Sequence, residues 1–106
     1  MPKYLFQGTY MGEGLKGLLK EGGSKRRETV EQTLKAMGGT LEAFYYAFGE
    51  DDVLAIVDLP DNVSTTAFAL IVNASGAVKV KTTVLLTPEE VDQATKKSVD
   101  YRPPGQ

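Results

Sequence analysis

The fold turns on Thr40-Leu41-Glu42-Ala43-Phe44-Tyr45-Tyr46-Ala47-Phe48-Gly49-Glu50-Asp51-Asp52-Val53-Leu54-Ala55-Ile56-Val57-Asp58-Leu59. Two runs rich in β-branched and aromatic residues flank four turn-forming residues, Gly49 to Asp52. This pattern predicts a hairpin with strands over 40–48 and 53–59. Strict alternation places Leu41, Ala43, Tyr45 and Ala47 on one face of the first strand. Phe44, Tyr46 and Phe48 fall on the other. In the second strand, Val53, Ala55 and Val57 oppose Leu54 and Ile56. Both parities are apolar, and such strands are normally buried on both faces.

Upstream, Lys3 to Tyr10 alternates and is aromatic-rich, with Tyr4, Phe6 and Tyr10 on one parity, so it reads as a strand. After Gly12-Glu13-Gly14, Leu15, Leu18 and Leu19 suggest a short amphipathic turn or helix. Gly22-Gly23 interrupts it. Ser24 is a good N-cap for a longer helix carrying Val30, Leu34 and Met37 at i, i+4, i+7 and ending at Gly38-Gly39. Downstream, Pro60 stops the hairpin. Asp61 or Asn62 caps a helix to about residue 75, with Val63, Ala67, Leu70, Ile71 and Ala74 as its apolar stripe, widened by Phe68 and Val72. A strand follows over 77–86. Thr87-Pro88-Glu89-Glu90 is a capping box with Pro at the first helical position, opening a last helix to about residue 98.

Strand, helix, strand, strand, helix, strand is the split β-α-β order of ferredoxin-like folds. The expectation is an α+β domain over 1–100: a four-stranded antiparallel sheet, helices on one face, and an extra C-terminal helix. Tyr101-Arg102-Pro103-Pro104-Gly105-Gln106 would be an extended tail.

The chain has 106 residues, 42% hydrophobic and 25% charged, with a formal net charge of −2. That suits one domain with one core and gives no global basic field for nucleic acid or an anionic membrane. No apolar run spans a bilayer, and the N-terminus has no signal-peptide pattern; a cytoplasmic setting is expected. There is no Cys and no His. Disulfides, thiolate chemistry and His-based triads are therefore excluded, and no metal or cofactor is expected. Any catalysis would have to use carboxylates, Lys, Arg, Tyr, Ser or Thr.

With helices on one face, the other face of the hairpin is left bare. The terminal helix, about 15 Å long, offers only Val91, Ala94 and Val99 to cover it. A second copy, sheet against sheet, is the expected cover.

Gly12-Glu13-Gly14-Leu15-Lys16, Gly38-Gly39-Thr40-Leu41-Glu42-Ala43-Phe44-Tyr45 and Phe48-Gly49-Glu50-Asp51-Asp52-Val53 resemble the GYD-domain family of small bacterial proteins. Asn73-Ala74-Ser75-Gly76-Ala77-Val78 and Tyr101-Arg102-Pro103-Pro104-Gly105 add to the likeness. The resemblance implies a ferredoxin-like structure of the dimeric α+β barrel type; it does not imply an activity. The family's signature is often met as Gly-Glu-Tyr-Asp at the hairpin. Gly49, Glu50 and Asp52 match it; Asp51 stands where the Tyr is expected, so a ligand contact made by that Tyr does not carry over.

Candidate ligand-binding residues are Tyr10, Tyr46, Phe48, Glu50 and Asp52, with no catalytic residue assigned. The carboxylates of Glu50-Asp51-Asp52 could hold a hard cation or act as an acid/base pair, but they fit no metal motif and suit a hairpin turn. One of Tyr45 and Tyr46, with Tyr4 or Tyr10, could bind an aromatic ligand between subunits or simply pack at the interface. Lys25-Arg26-Arg27, cations at a helix N-terminus, hint at an anionic partner but read first as surface charge. Lys79 and Lys81 protect a sheet edge. The expected function is a homo-oligomeric module binding a small molecule or protein at its paired sheets, with no nucleic-acid or membrane partner. The alternative is a cofactor-independent enzyme acting on a small, for example aromatic, metabolite in an inter-sheet cavity.

Overall fold

The computed structural model describes residues 1–106. The elements are β1 Lys3–Tyr10, α1 Gly12–Glu21, α2 Gly23–Ala36, β2 Thr40–Tyr46, β3 Val53–Asp58, α3 Asn62–Ala74, β4 Val78–Leu85 and α4 Pro88–Thr95. The sheet order is β2-β3-β1-β4, antiparallel throughout. This is the ferredoxin-like arrangement that the element order predicts.

Period-two burial fixes the sheet's orientation. Tyr4, Phe6, Gly8 and Tyr10 of β1 and Val53, Ala55 and Val57 of β3 are buried on the helix side. Tyr4, Phe6, Leu34, Ala55, Val57 and Leu59 form the core, with Val30, Met37, Leu41, Phe44, Phe68 and Val80 packed against it. Burying each large aliphatic side chain contributes about 1.5–3 kcal/mol. The Tyr4 hydroxyl donates to Asn62 Oδ1 at 2.6 Å, so the buried phenol keeps a partner.

Strict alternation fails in β2. Leu41 pairs with Val57 but Ala43 pairs with Ile56, leaving Glu42 as an extra residue in a bulge. The slip inverts the parity beyond it. Leu41 therefore shares the helix side with Phe44 and Tyr46, while Ala43 and Tyr45 point to the open side. The strand also ends at Tyr46 instead of reaching Phe48. Phe48 has φ 53°, a left-handed conformation that ends a strand.

Three helices depart from the expected pattern. First, α1 is regular through Gly12 and Gly14. A side chain at Gly14 would strike the carbonyl oxygen of Ala77, so glycine lets this helix lie directly on the segment entering β4. Second, α2 begins one residue before Ser24, and its N-cap is Gly22, with no side-chain cap. Gly22, at φ 85°, makes the corner between α1 and α2. Third, α3 turns the opposite way from its predicted stripe. Thr65 is buried and Phe68 and Val72 face inward, whereas Val63, Ala67, Leu70, Ile71 and Ala74 are exposed. The Phe68 ring, tilted against Phe6 at 5.1 Å, fills the core better than the smaller residues of the other face. Asp61 caps this helix, accepting the Ser64 N–H at 2.7 Å.

Thr87 and Glu90 form the predicted capping box, and Pro88 opens α4, which ends at Thr95. The helix is exposed along its whole length and leaves the bare sheet face uncovered. The radius of gyration is 16.9 Å and the extents are 56 × 33 × 22 Å. A compact domain of this length has a radius of about 13 Å, so the chain is markedly elongated.

Candidate functional site

The sheet register defines the open face in rows. Asp58, Lys3 and Leu85 form one row; Ala43, Ile56, Leu5 and Thr83 the next; Tyr45, Leu54, Gln7 and Lys81 the third. The middle is apolar; Lys3 at one end and Lys81 at the other are ion-paired, while Lys79, beside Thr9 in the row beyond, makes no ion pair. At one end Lys3 Nζ meets Glu42 at 2.8 Å and Asp58 at 3.0 Å; the two carboxylates hold the lysine above its ordinary pKa. At the other, Asp51 accepts from Gln7 Nε2 at 3.2 Å and meets Lys81 Nζ at 3.2 Å. An apolar centre inside a polar rim is the anatomy of an interface.

The helix side carries a different constellation. Tyr10 ends β1 and Tyr46 ends β2, and the bulge at Glu42 brings both onto the same side of the sheet. Their hydroxyls neighbour each other and the Arg26 guanidinium of α2. Burial pushes the Tyr10 phenol above its usual value, against the pull of Arg26. Burial and then Tyr10 push Tyr46 up to about 12. Both rings are therefore neutral hydrogen-bonding groups at ordinary pH. Tyr46 donates its own proton to the Gly23 carbonyl at 3.0 Å. A side chain at Gly23 would come within 2.9 Å of the Tyr46 ring, so this glycine lets ring and helix meet. Phe48 stacks on Tyr46 at 5.9 Å, and Phe44 meets Tyr46 edge-on at 5.3 Å.

The five candidate residues divide. Tyr10, Tyr46 and Phe48 gather on the helix side, through Tyr46. Glu50 is exposed in the turn. Asp52 holds backbone: its carboxylate accepts the Tyr10 N–H at 2.8 Å, and its own N–H donates to the Gly8 carbonyl at 2.8 Å. No group of three or more acidic side chains could hold a metal ion. Arg26 is the site residue that sequence reasoning did not separate from Lys25 and Arg27. A signal existed: residues 26, 30, 34 and 37 continue one helical stripe toward the N-terminus.

The architecture is that of a ferredoxin-like α+β domain with one sheet face under helices and one bare. The family model described as GYD domain matches residues 4–95, and the chain belongs to that family. Comparison with curated proteins and with solved structures gave no match. At the hairpin turn, Asp52 ties β3 to β1, and Asp51 sits on the open side between Gln7 of β1 and Lys81 of β4. No helix is long and apolar enough to cross a membrane.

Proposed function

We propose that the chain is a homo-oligomeric module whose open sheet faces pair. The observation carrying this reading is the apolar island of Leu5, Leu54, Ile56, Ala43 and Tyr45 between two ion-paired ends. Leu5, Ala43, Leu54 and Ile56 are half-buried beside one another, Tyr45 is 70% exposed, and α4 stands away from them, exposed along its length. The elongated shape adds support. Beyond β4 the chain offers Leu86, Val91, Val99 and Tyr101, all exposed, to a neighbouring copy. The rival, an enzyme working between the sheets, gains little from the geometry. Tyr10 and Tyr46, the phenols with disturbed acidity, lie on the helix side.

Light scattering on the purified chain tests the pairing. The expected mass is twice the 11.5 kDa of one chain, and a monomer at micromolar concentration overturns it. Leu54→Asp should give a folded monomer. Tyr45→Glu, at a more exposed position, should weaken the pair without touching the core.

A further inference from the structure

Two hollows between the helices and the sheet share Tyr10, Arg26 and Val78. The inner one, about 60 Å³, lies over Gly8 among apolar side chains that include Phe44 and Phe68. The outer one, about 150 Å³, opens past Gly14 and Gly17, with Glu13 and Glu21 among its walls. Tyr10 is 7% exposed. Arg26 is half-buried, unlike the exposed Lys25 and Arg27, and makes none of the chain's ion pairs.

A guanidinium that has lost part of its hydration without gaining a carboxylate is held at a cost. An anion supplied from outside would offset it. We propose that the two adjoining hollows bind a single-ring aromatic carboxylate, with its ring reaching across both and its carboxylate on Arg26 and the Tyr10 hydroxyl.

The chemistry selects this class. The planar fork of Arg matches a carboxylate by two parallel hydrogen bonds. Tyr10 stays protonated, since burial raises its pKa, and can donate a third. Glu21, and Glu13 with its Lys16 partner, line the outer hollow and oppose a doubly charged phosphate more than a singly charged carboxylate. The apolar walls, which include the Phe44 and Phe68 rings, reward an aromatic ligand. Size sets the limit. A benzene-sized cavity is about 150 Å³, so the inner hollow alone is too small and the ring must span both.

Calorimetric titration of the full chain with benzoate and phenylacetate tests the site, against benzyl alcohol, acetate and inorganic phosphate. The ring-bearing carboxylates should bind about tenfold or more tighter than any control. Arg26→Gln, whose folding is checked by its unfolding midpoint, should weaken benzoate by about tenfold or more. Tyr10→Phe should weaken it less. The proposal is overturned by phosphate binding more tightly than benzoate, by benzoate producing neither heat nor thermal stabilisation, or by unchanged benzoate affinity in Arg26→Gln. The site lies on the opposite side of the sheet from the pairing face. Light scattering on the same samples therefore separates failure here from failure of the pairing.

Discussion

The carboxylate of Asp52 accepts the backbone N–H of Tyr10 at 2.8 Å, tying the start of β3 to the end of β1. The same residue's N–H donates to the Gly8 carbonyl at 2.8 Å, so Asp52 clamps the strand where Tyr10 turns toward the helices. Hydrogen bonds to a charged group contribute about 1.5–3 kcal/mol. Asp52→Ala should lose about that much stability in urea unfolding. Asp52→Asn keeps an acceptor oxygen and should lose less. Equal losses for both would remove the clamp from the account.

Gly23 faces the Tyr46 ring with no room for a methyl group, since a Cβ there would lie 2.9 Å from ring carbon Cε2. Gly23→Ala should displace the ring and break the hydrogen bond from its hydroxyl to the Gly23 carbonyl. Overpacking of this kind costs about 1–3 kcal/mol. The Phe48 ring stacked on Tyr46 should move with it. Near-ultraviolet circular dichroism would record the loss of aromatic order, and an unchanged spectrum would contradict the contact.

The topology was legible because each element carries its own period or cap. The hairpin at Gly49, the stripe of Val30, Leu34 and Met37, and the Thr87 box all lie where their patterns place them. The parity of β2 was not legible. A bulge is decided by pairing with β3, and no feature of Leu41-Glu42-Ala43 announces that Glu42 is the extra residue. The orientation of α3 was hidden for a related reason. The helix has no charged residue at all, and its polar stripe of Asn62, Thr66 and Asn73 runs between two apolar faces, so it does not mark which of them is the outside. The ring of Phe68 settles the matter only once Phe6 is across from it. The candidate site suffered from the first of these. With strict alternation, Tyr46 is separated from Leu41; with the bulge, it joins Tyr10 and Arg26 under the helices.

Stability should fall at both ends of the pH range, through different residues. Tyr46 has a folded-state value raised from 10.0 to about 12. A raised value favours the protonated folded form, so its contribution is complete below pH 10 and disappears as pH rises toward 12. Asp61 moves the other way. The backbone N–H of Ser64 holds its carboxylate below the ordinary aspartate value of 3.8. Its contribution is present above that value and is lost as pH falls through the depressed one. Tyr46→Phe should flatten the alkaline limb of unfolding midpoint against pH, leaving the acid limb unchanged. Asp61→Asn should flatten the acid limb and leave the alkaline one. A variant that alters the wrong limb would refute the assignment.

The C-terminal arm separates folding from association. No residue of α4 is buried, and Val91, Val99 and Tyr101 are 47%, 77% and 63% exposed. Removing 88–106 therefore takes almost no apolar contact from the core of Tyr4, Phe6, Leu34, Ala55, Val57 and Leu59. Surface changes away from packed features stay within about 0.5 kcal/mol. The truncated chain, diluted until monomeric, should match the full chain within that margin in urea unfolding. Association should respond differently. If the arm lies on a second copy, its loss removes apolar area from the pair, and sedimentation at falling concentration should show dissociation at higher concentration than for the full chain. Unfolding of the truncated monomer would mean that the arm supports its own domain. Unchanged dissociation would place the arm outside the pairing surface and leave the open sheet face, from Leu5 across to Tyr45, to hold the two copies alone.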